Sequence, residues 1–326
     1  MKGVVLAGGR GTRLQSLTRS VNKHLLPVYD KPLIHWPVMM LVRIGIGEIM
    51  IVSNPEDTER YRALFGDGGE LGVSIVYGSQ NEPNGIAGAL AVAEEFTEGE
   101  SVAVILGDNI FVDAVEIRDA LEGFRSEGEE GALVFLKEVA DPERFGIADV
   151  EGDTVRSIEE KPKTPQSNLA VTGLYFYDAH VFDIARTLTP SKRGELEITD
   201  VNNAYSAQGM MKFRRLGGAW IDAGTPESLF QANLVAAGMG YEAQPKIKIL
   251  FGINKLAVGG AEHLVLHQLA HINRDRFNPH LVTLLQSTEP NLDAEAKKLG
   301  ERWKKFSFRG FFDIASFWKL YRFLRR

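Results

Sequence analysis

The residues with the clearest capacity for chemistry stand where short apolar runs end. The stretch Leu6-Ala7-Gly8-Gly9-Arg10-Gly11-Thr12-Arg13 closes the first such run. Successive N–H groups in a glycine turn form a concavity that binds anions, and Arg13 adds a cation where a triphosphate would lie. The spacing is neither a P-loop, which needs Gly-Lys-Ser/Thr, nor a dinucleotide fingerprint. A tight strand-to-helix turn without a ligand is the alternative.

Two aspartates occupy similar positions at predicted strand ends. Asp108 follows the apolar residues 104–107, and Asp222 follows residues 219–221. Open α/β sheets bind ligands outside the carboxyl ends of their strands, and two carboxylates there could hold one Mg²⁺, which prefers oxygen ligands. For either aspartate alone, a helix N-cap or turn role is an equally good interpretation.

Charged residues in two further segments are candidates for substrate contacts. Lys23 lies beside apolar residues, so its stem could pack while its ammonium group points into a cleft; an ordinary surface lysine is the alternative. The sequence Glu159-Glu160-Lys161-Pro162 places acids and a base at a strand end, where a sugar hydroxyl could be bound. A solvated charge cluster is the plain alternative there. The seven histidines show no metal-ligand spacing.

The elements that would position these residues alternate along the chain. Strands are predicted at Lys2–Ala7, Glu48–Ser53, Val73–Gly78, Val102–Leu106, Ala132–Lys137 and Val171–Tyr177. Helices are predicted at His35–Ile44, Asp57–Phe65, Gly85–Glu95, Glu116–Glu127, Ala179–Leu188 and Ile198–Gln208. This alternation predicts an α/β fold, Rossmann-like, with a mostly parallel mixed sheet covered by helices.

Bulk composition excludes several classes of protein. The chain has 326 residues, 44% hydrophobic and 25% charged, with a formal net charge of -6 and no cysteine. Broad nucleic-acid binding needs excess Lys and Arg, and disulfides or Cys-bound metals need cysteine. A first strand at Lys2 leaves no room for a signal peptide, and no apolar run approaches membrane-spanning length. A cytoplasmic protein that binds no nucleic acid is expected.

Eight segments together resemble the glucose-1-phosphate thymidylyltransferase family over roughly residues 1–235, in the family's order and spacing. They are Met1–Leu14, Lys23–Pro32, Gly107–Asn109, Asp141–Arg144, Glu159–Pro162, Val171–Asp178, Gly194–Asn202 and Trp220–Thr225. Residues 26–32 and 194–202 favour this family over uridylyl- and guanylyltransferases. A uridylyltransferase, another sugar-1-phosphate nucleotidyltransferase or a part of a bifunctional glycosyltransferase is the alternative.

The resemblance implies a Mg²⁺-dependent reaction of dTTP with glucose-1-phosphate, giving dTDP-glucose and pyrophosphate. It implies a catalytic set, a nucleotide-binding set, a sugar-binding set and a metal pair. In that order, the implied residues are Arg13, Lys23 and Asp108; Gly8, Gly11, Thr12, Arg13, Gln80 and Gly85; Gly146, Glu160, Lys161 and Val171; and Asp108 with Asp222. A homo-oligomer is expected, although the helices by which longer members form tetramers are not recognisable.

Four positions depart from the usual pattern of the family. The chain has His24 and Gly88 where the family has Gln, Asn84 where it has Asp, and Phe145 where it has Tyr. These changes spare the expected phosphate and metal residues. They affect the base and sugar sides, so nucleotide and sugar selectivity stay open at this point.

A second unit is expected after a linker at residues 238–245. The first domain is predicted to cover residues 1–240 and the second residues 246–326, with a strand at Lys246–Ile253, a helix at Ala261–Asn273 and a strand at His280–Leu285. This part resembles the beginning of a GT-B glycosyltransferase, which implies a partial N-terminal lobe. Residues 311–326 predict an amphipathic helix with a basic face, which would be a core helix or, alternatively, a membrane-surface helix.

Overall fold

The computed structural model describes residues 1–9, 11–81, 84–191, 194–238, 247–255, 260–272, 277–285, 296–297, 303–306, 316 and 318. The chain folds as two compact units, Met1–Gly240 and Tyr241–Arg326.

The first unit is built on a mixed β-sheet. In chain order its strands, including four short ones outside the main sheet, are β1 (Lys2–Ala7), β2 (Pro27–Val28), β3 (Lys31–Pro32), β4 (Glu48–Ser53), β5 (Ser74–Ser79), β6 (Val102–Leu106), β7 (Asn109–Phe111), β8 (Ala132–Glu138), β9 (Gly146–Glu151), β10 (Thr154–Glu160), β11 (Leu169–Tyr177), β12 (Met211–Arg215) and β13 (Trp220–Asp222). The main sheet has the order β5-β4-β1-β6-β11-β8-β12-β10-β9. β2 pairs with β3, and β7 pairs with β13.

Helices cover both faces of this sheet. The α-helices of the first unit are α1 (His35–Arg43), α2 (Pro55–Phe65), α3 (Ile86–Ala91), α4 (Glu94–Thr97), α5 (Ala114–Ser126), α6 (Val181–Thr187), α7 (Ile198–Ala207) and α8 (Pro226–Gly238). Short 3-10 helices span Thr12–Thr18, Lys23–Leu25, Gly69–Leu71 and Pro142–Arg144.

Alternate residues of the central strands enter different cores. In β1, Val4 and Leu6 belong to the core that also contains residues of α3, α6 and α7. Val5 and Ala7 belong to the core that contains residues of α1, α2 and α5. Because both faces of the strand are buried, its sequence is a continuous apolar run and not an alternation. The first unit is therefore a three-layer α/β/α sandwich.

The sheet is mixed, as the sequence predicts, and its parallel pairs are confined to two groups of strands. β5, β4, β1 and β6 run parallel to one another, whereas β11 is antiparallel to both β6 and β8. β8 and β12 are parallel, and β10 is antiparallel to β12 and β9. Because β11 runs against β6, the beginning of β11 lies at the same edge of the sheet as the carboxyl end of β6. That edge carries the candidate site.

The predicted helix Gly85–Glu95 is wrong as a single element. The structure has α3 and α4 with a turn between them. The N–H of Val92 donates to the Ala89 carbonyl and that of Ala93 to the Leu90 carbonyl. These bonds span three residues, which tightens the chain and ends α3.

Several elements were not predicted, and most of them are short or antiparallel. β2, β3 and β7 have two or three residues, too few for a periodic pattern, whereas the strand end expected at Asp222 is found as β13. α8 did carry a signal: Pro226 follows Thr225, whose side chain accepts from the N–H of Ser228 at 3.2 Å. Pro at the first position after a capping Thr is a typical helix start.

The described residues of the second unit form a small parallel sheet with one helix. The strands β14 (Ile247–Ile253), β15 (Phe277–Thr283) and β16 (Trp303–Lys305) pair in the order β14-β15-β16, and α9 spans Gly260–His271. Leu266, Leu269, Leu281 and Ala296 form its buried cluster. The expected linker lies outside the described residues except for Gly238, and the expected helix at residues 311–326 lies outside them except for Ser316 and Trp318. Among the described helices, none has the length and apolar character to cross a membrane.

Candidate active site

A cavity of about 490 Å³ opens at the carboxyl ends of β1 and β6. All the site residues expected from the sequence line it, although they come from distant parts of the chain. These residues are Gly8, Gly11, Thr12, Arg13, Lys23, Gln80, Gly85, Asp108, Gly146, Glu160, Lys161, Val171 and Asp222. The structure thus brings the phosphate, base, sugar and metal candidates into one concave site; their individual roles stay predictions.

A partly buried ion pair, formed by Lys23 and the buried Asp108, lines the cavity. The Lys23 ammonium donates to Asp108 Oδ2, and the Asn109 side-chain amide donates to Asp108 Oδ1 at 3.0 Å. Burial, the largest single influence, works to raise the pKa of Asp108, but the charge of Lys23, the neighbouring His24 and the hydrogen bonds from Lys23 and Asn109 together hold that pKa below its usual range. Asp108 is therefore a carboxylate with both oxygens oriented.

Asp222 lies next to this pair, and its negative charge is less well neutralised by nearby cations. It is the last residue of β13 and pairs in register with Asn109 of β7. Burial, followed by the negative charge of Asp108, raises the pKa of Asp222 to about 6. Its nearest cation is Arg13, whose Nη2 lies 3.7 Å from Oδ2. The site thus contains two neighbouring carboxylates whose negative charge is only partly neutralised by Lys23 and Arg13.

Asn109 joins the carboxylates to the neighbouring strands. Its Oδ1 accepts from the indole N–H of Trp220 at 2.6 Å and from the N–H of Gly173 at 3.1 Å. Its amide group donates to Asp108. The side chain is 2% exposed, so all of these bonds are shielded from water. The sequence pointed only to its neighbour Asp108.

His24, the residue after Lys23, is a buried and neutral imidazole. Its Nδ1 lies 2.8 Å from Asn22 Oδ1, and its N–H also donates to that oxygen. Burial and the charge of Lys23 lower the pKa of His24 to about 3. An uncharged ring adds no second cation beside the lysine.

The sugar-side candidates cluster around the hairpin of β9 and β10. Gly146 and Glu160 face each other in register, and Glu160 Oε2 accepts from the Thr199 hydroxyl at 2.8 Å. Lys161 Nζ lies 3.1 Å from Glu160 Oε1. The ring of Phe145 lies 5.3 Å from that of Trp220, forming an aromatic wall.

The side chain of Gln80, which also lines the cavity, is held by two hydrogen bonds. Its amide nitrogen donates to Asn84 Oδ1 at 2.7 Å and to the Gly85 carbonyl at 3.2 Å. The side chain is 8% exposed.

Some lining residues were missed by the sequence reasoning. Asn109, Arg144, Glu195, Glu197 and Trp220 line the cavity but had been given no role. Each lies in a segment that had been matched to the family. Their position inside these segments could have indicated that they lie near the site. Which of their side chains face the cavity could be seen only from the fold.

The chain is similar to one known protein family and to several of its members. Residues 2–237 match the family model described as nucleotidyl transferase. A glucose-1-phosphate thymidylyltransferase of Neisseria meningitidis serogroup A is 46% identical over 235 residues, covering 71% of this chain and 81% of the relative. One from Mycolicibacterium smegmatis is 45% identical over 236 residues, covering 72% and 81%.

Solved structures agree with these matches. A Bacillus anthracis structure, provisionally assigned as a glucose-1-phosphate thymidylyltransferase and complexed with sucrose, has a TM-score of 0.70 and 46% identity, covering 75% of this chain and 98% of that chain. A UDP-glucose pyrophosphorylase complexed with UDP-glucose is 24% identical with a TM-score of 0.64, covering 73% and 98%, and shows the shared fold alone. The chain therefore belongs to the nucleotidyl transferase family and, within it, to the glucose-1-phosphate thymidylyltransferases.

Proposed function

We propose that the first unit transfers a thymidylyl group from dTTP to glucose-1-phosphate. A phosphate oxygen of the sugar phosphate forms a bond to the α-phosphorus of dTTP, and the bond from that phosphorus to the β-phosphate oxygen breaks. The products are dTDP-glucose and pyrophosphate. The proposal rests on the family, whose curated members carry this activity in their names.

One observation carries the proposal: the cations and the carboxylates share one cavity with the base-side and sugar-side residues. Phosphoryl-type transfer depends on positioning and on neutralising the charge that develops in the transition state. Lys23 is partly buried and oriented by Asp108, and Arg13 is half exposed at the cavity wall. No protein nucleophile is needed for this chemistry.

A divalent metal, Mg²⁺ in our proposal, fits the donor set. The described residues contain no cluster of three or more metal-binding side chains. Asp108 and Asp222 would then supply two carboxylates, and Mg²⁺ usually completes its shell with water and substrate phosphates. The raised pKa of Asp222 supports the assignment, because a cation would offset the charge of Asp108 beside it. When bound, the metal would neutralise phosphate charge.

The chain's own residues would divide the remaining tasks. Gly8, Gly11 and Thr12 would hold the triphosphate, and Arg13 and Lys23 would stabilise the charge on the reacting phosphate. Gln80 and Gly85 would contact the thymine. Gly146, Glu160, Lys161 and Val171 would bind glucose-1-phosphate, for which the polar rim around Glu160 offers donors and acceptors.

Pyrophosphate release tests this proposal. The protein is incubated with Mg²⁺ and each of dTTP, UTP, ATP, CTP and GTP, against glucose-1-phosphate and its common epimers. The proposal expects release to be strongest with dTTP and glucose-1-phosphate. Strongest release with UTP would replace it by a uridylyltransferase, and no release with any pair would refute the catalytic interpretation.

For the second unit we propose a partial GT-B glycosyltransferase-like lobe. The parallel order of β14, β15 and β16 with α9 between the first two supports this. Such a lobe should not transfer sugar by itself, so incubation with dTDP-glucose should release no glucose above the background of a heat-denatured sample. A homo-oligomer and a cytoplasmic location also stay proposals, and light scattering would test the first.

A further inference from the structure

The base-side wall of the cavity holds Gln80 in one orientation. A carbonyl oxygen can only accept hydrogen bonds. The group of Gln80 that lies 3.2 Å from the Gly85 carbonyl must therefore be its nitrogen, Nε2. The same nitrogen lies 2.7 Å from the side chain of Asn84, which must present its oxygen. The orientation of both amides follows from the backbone carbonyl.

This orientation leaves Oε1 as the group that Gln80 can offer to a ligand. Within the described part of the chain, no hydrogen bond uses this oxygen. It lies against the backbone of Gly8, where an added Cβ would be 3.0 Å away. Both residues line the cavity. A ligand at this wall would therefore meet a fixed acceptor and not an amide free to rotate.

The segment that carries Asn84 is itself braced. The N–H of Leu196 donates to the Asn84 carbonyl at 2.7 Å, and the N–H of Ala87 donates to the Leu196 carbonyl at 3.1 Å. Gly85 has φ 102°, and a Cβ there would lie 2.5 Å from the Leu196 oxygen. Only glycine fits such a position.

Gly88 provides the space that Asn84 occupies. A Cβ on Gly88 would lie 1.9 Å from Asn84 Oδ1, a distance that no structure tolerates. Gly88 has a helical backbone in α3, where alanine is otherwise preferred. The two departures from the usual family pattern, Asn84 and Gly88, thus form one spatial unit.

We propose that Asn84, seated over Gly88, is a positioning residue that fixes the Gln80 amide so that its oxygen selects nucleobases with an N3–H donor. Thymine and uracil have that donor. Cytosine has a lone pair at N3, which would face the lone pairs of Oε1. This contact of Asn84 with Gln80, called the lock below, favours bases with an N3–H and makes no contact with the 5-methyl group. It therefore separates dUTP from dCTP but not dTTP from dUTP. This inference rests on the proposed function.

The test compares kcat/KM for dTTP, dUTP and dCTP in two variants that break the lock by different routes. Asn84→Ala removes the partner of Gln80, and Gly88→Ala displaces Asn84 while leaving it in the chain. Each should raise the dCTP/dUTP ratio of kcat/KM at least about fivefold, the size expected for one lost hydrogen bond. The dTTP/dUTP ratio should stay unchanged, and circular dichroism reports whether the variants are folded.

Two further variants sharpen the result. Asn84→Asp keeps an acceptor for Nε2 and should retain the wild-type ratio. Asn84→Ala/Gly88→Ala should show the ratio of either single variant, because both act through the same contact. Gly123→Ala, a helical glycine of α5 outside the cavity, is the matched control.

An unchanged dCTP/dUTP ratio in both Asn84→Ala and Gly88→Ala would overturn the inference. If the wild-type protein turns over none of these nucleotides, the proposed function fails. Calorimetric binding of dUTP and dCTP to the same variants then decides the lock by itself: the same shift in relative affinity supports it, and no shift refutes it.

Discussion

The carboxylate pair Asp108 and Asp222 defines the most demanding position of the site at the residue scale. Asp108 has both oxygens bound by Lys23 and Asn109, whereas the ion pair of Asp222 within the described part of the chain is the longer one with Arg13, at 3.7 Å. If the two hold the metal, Asp108→Asn should lower kcat about 100-fold or more, as loss of a transition-state contact does. Initial-rate kinetics measure the loss of kcat, and calorimetry measures the binding of dTTP separately.

Nucleotide binding should be retained in Asp108→Asn, because Gly8, Gly11 and Gln80 stay in place. Asp119→Asn, an exposed aspartate on α5, is the control and should behave like the wild type. Wild-type activity in Asp108→Asn would show that the metal assignment is wrong.

His35 gives a residue-scale prediction for acid stability. It begins α1 and stacks on Phe65 with ring centroids 6.2 Å apart. Burial, followed by the charge of Lys31, lowers the pKa of His35 to about 4 from its ordinary 6.5. The unfolded chain therefore binds a proton between these pH values that the folded chain does not bind, so stability is complete above pH 6.5 and decreases as pH falls towards 4.

The variant His35→Phe keeps a ring on Phe65 and removes the titration. Urea unfolding at pH 7 and pH 4.5 should show that the wild type loses about 1–2 kcal/mol more than the variant over this interval. An equal loss in both proteins would contradict the role given to His35.

At the scale of elements, the connection before β13 controls where Asp222 lies. Lys137 Nζ donates to the carbonyls of Leu216, Gly217 and Gly218 at 2.9–3.1 Å. Glu116 accepts from the N–H groups of Gly217 and Gly218 at 2.8 and 3.2 Å. These two side chains clamp a loop whose backbone otherwise has few partners.

Lys137→Met should therefore cost about 1–3 kcal/mol of stability, because it leaves three carbonyls without their charged donor. It should also lower kcat more than it raises the KM for dTTP, since β13 carries Asp222. Denaturant unfolding and steady-state kinetics measure both. Lys212→Met, which removes a surface ion pair with Glu127, should change neither appreciably. A Lys137→Met protein with wild-type stability and kcat would contradict this account.

The predictability of the site also differs between elements. Asp108 and the turn at Gly8 could be predicted because long apolar runs precede them, and such runs mark the buried strands β1 and β6. Asn109 and Trp220 could not be assigned roles, because their contact depends on the pairing of β7 with β13 across more than a hundred residues. Three-residue strands carry no periodic signal, and pairing between distant segments is a property of the tertiary fold.

On the scale of the whole molecule, the two compact units have separate buried clusters. A ligand that binds the folded form of one unit raises the unfolding temperature of that unit. dTTP with Mg²⁺ should therefore shift the calorimetric transition of the first unit upward by several degrees and leave that of the second unit in place. Trp36 and Trp220 lie in the first unit and Trp303 and Trp318 in the second, so the fluorescence transition that is lost in Trp303→Phe/Trp318→Phe is that of the second unit. A single transition that moves as a whole with dTTP would contradict separate unfolding.

In the proposed reaction, a sugar-phosphate oxygen attacks the α-phosphorus of dTTP in the cavity at the ends of β1 and β6. Glucose-1-phosphate labelled with oxygen-18 in its phosphate group tests it most directly, with the products separated and weighed by mass spectrometry. We predict that all the label is found in dTDP-glucose and none in pyrophosphate, and that Asp108→Asn forms neither product at a comparable rate. Label in pyrophosphate, or no dTDP-glucose from the wild-type protein, would contradict the account.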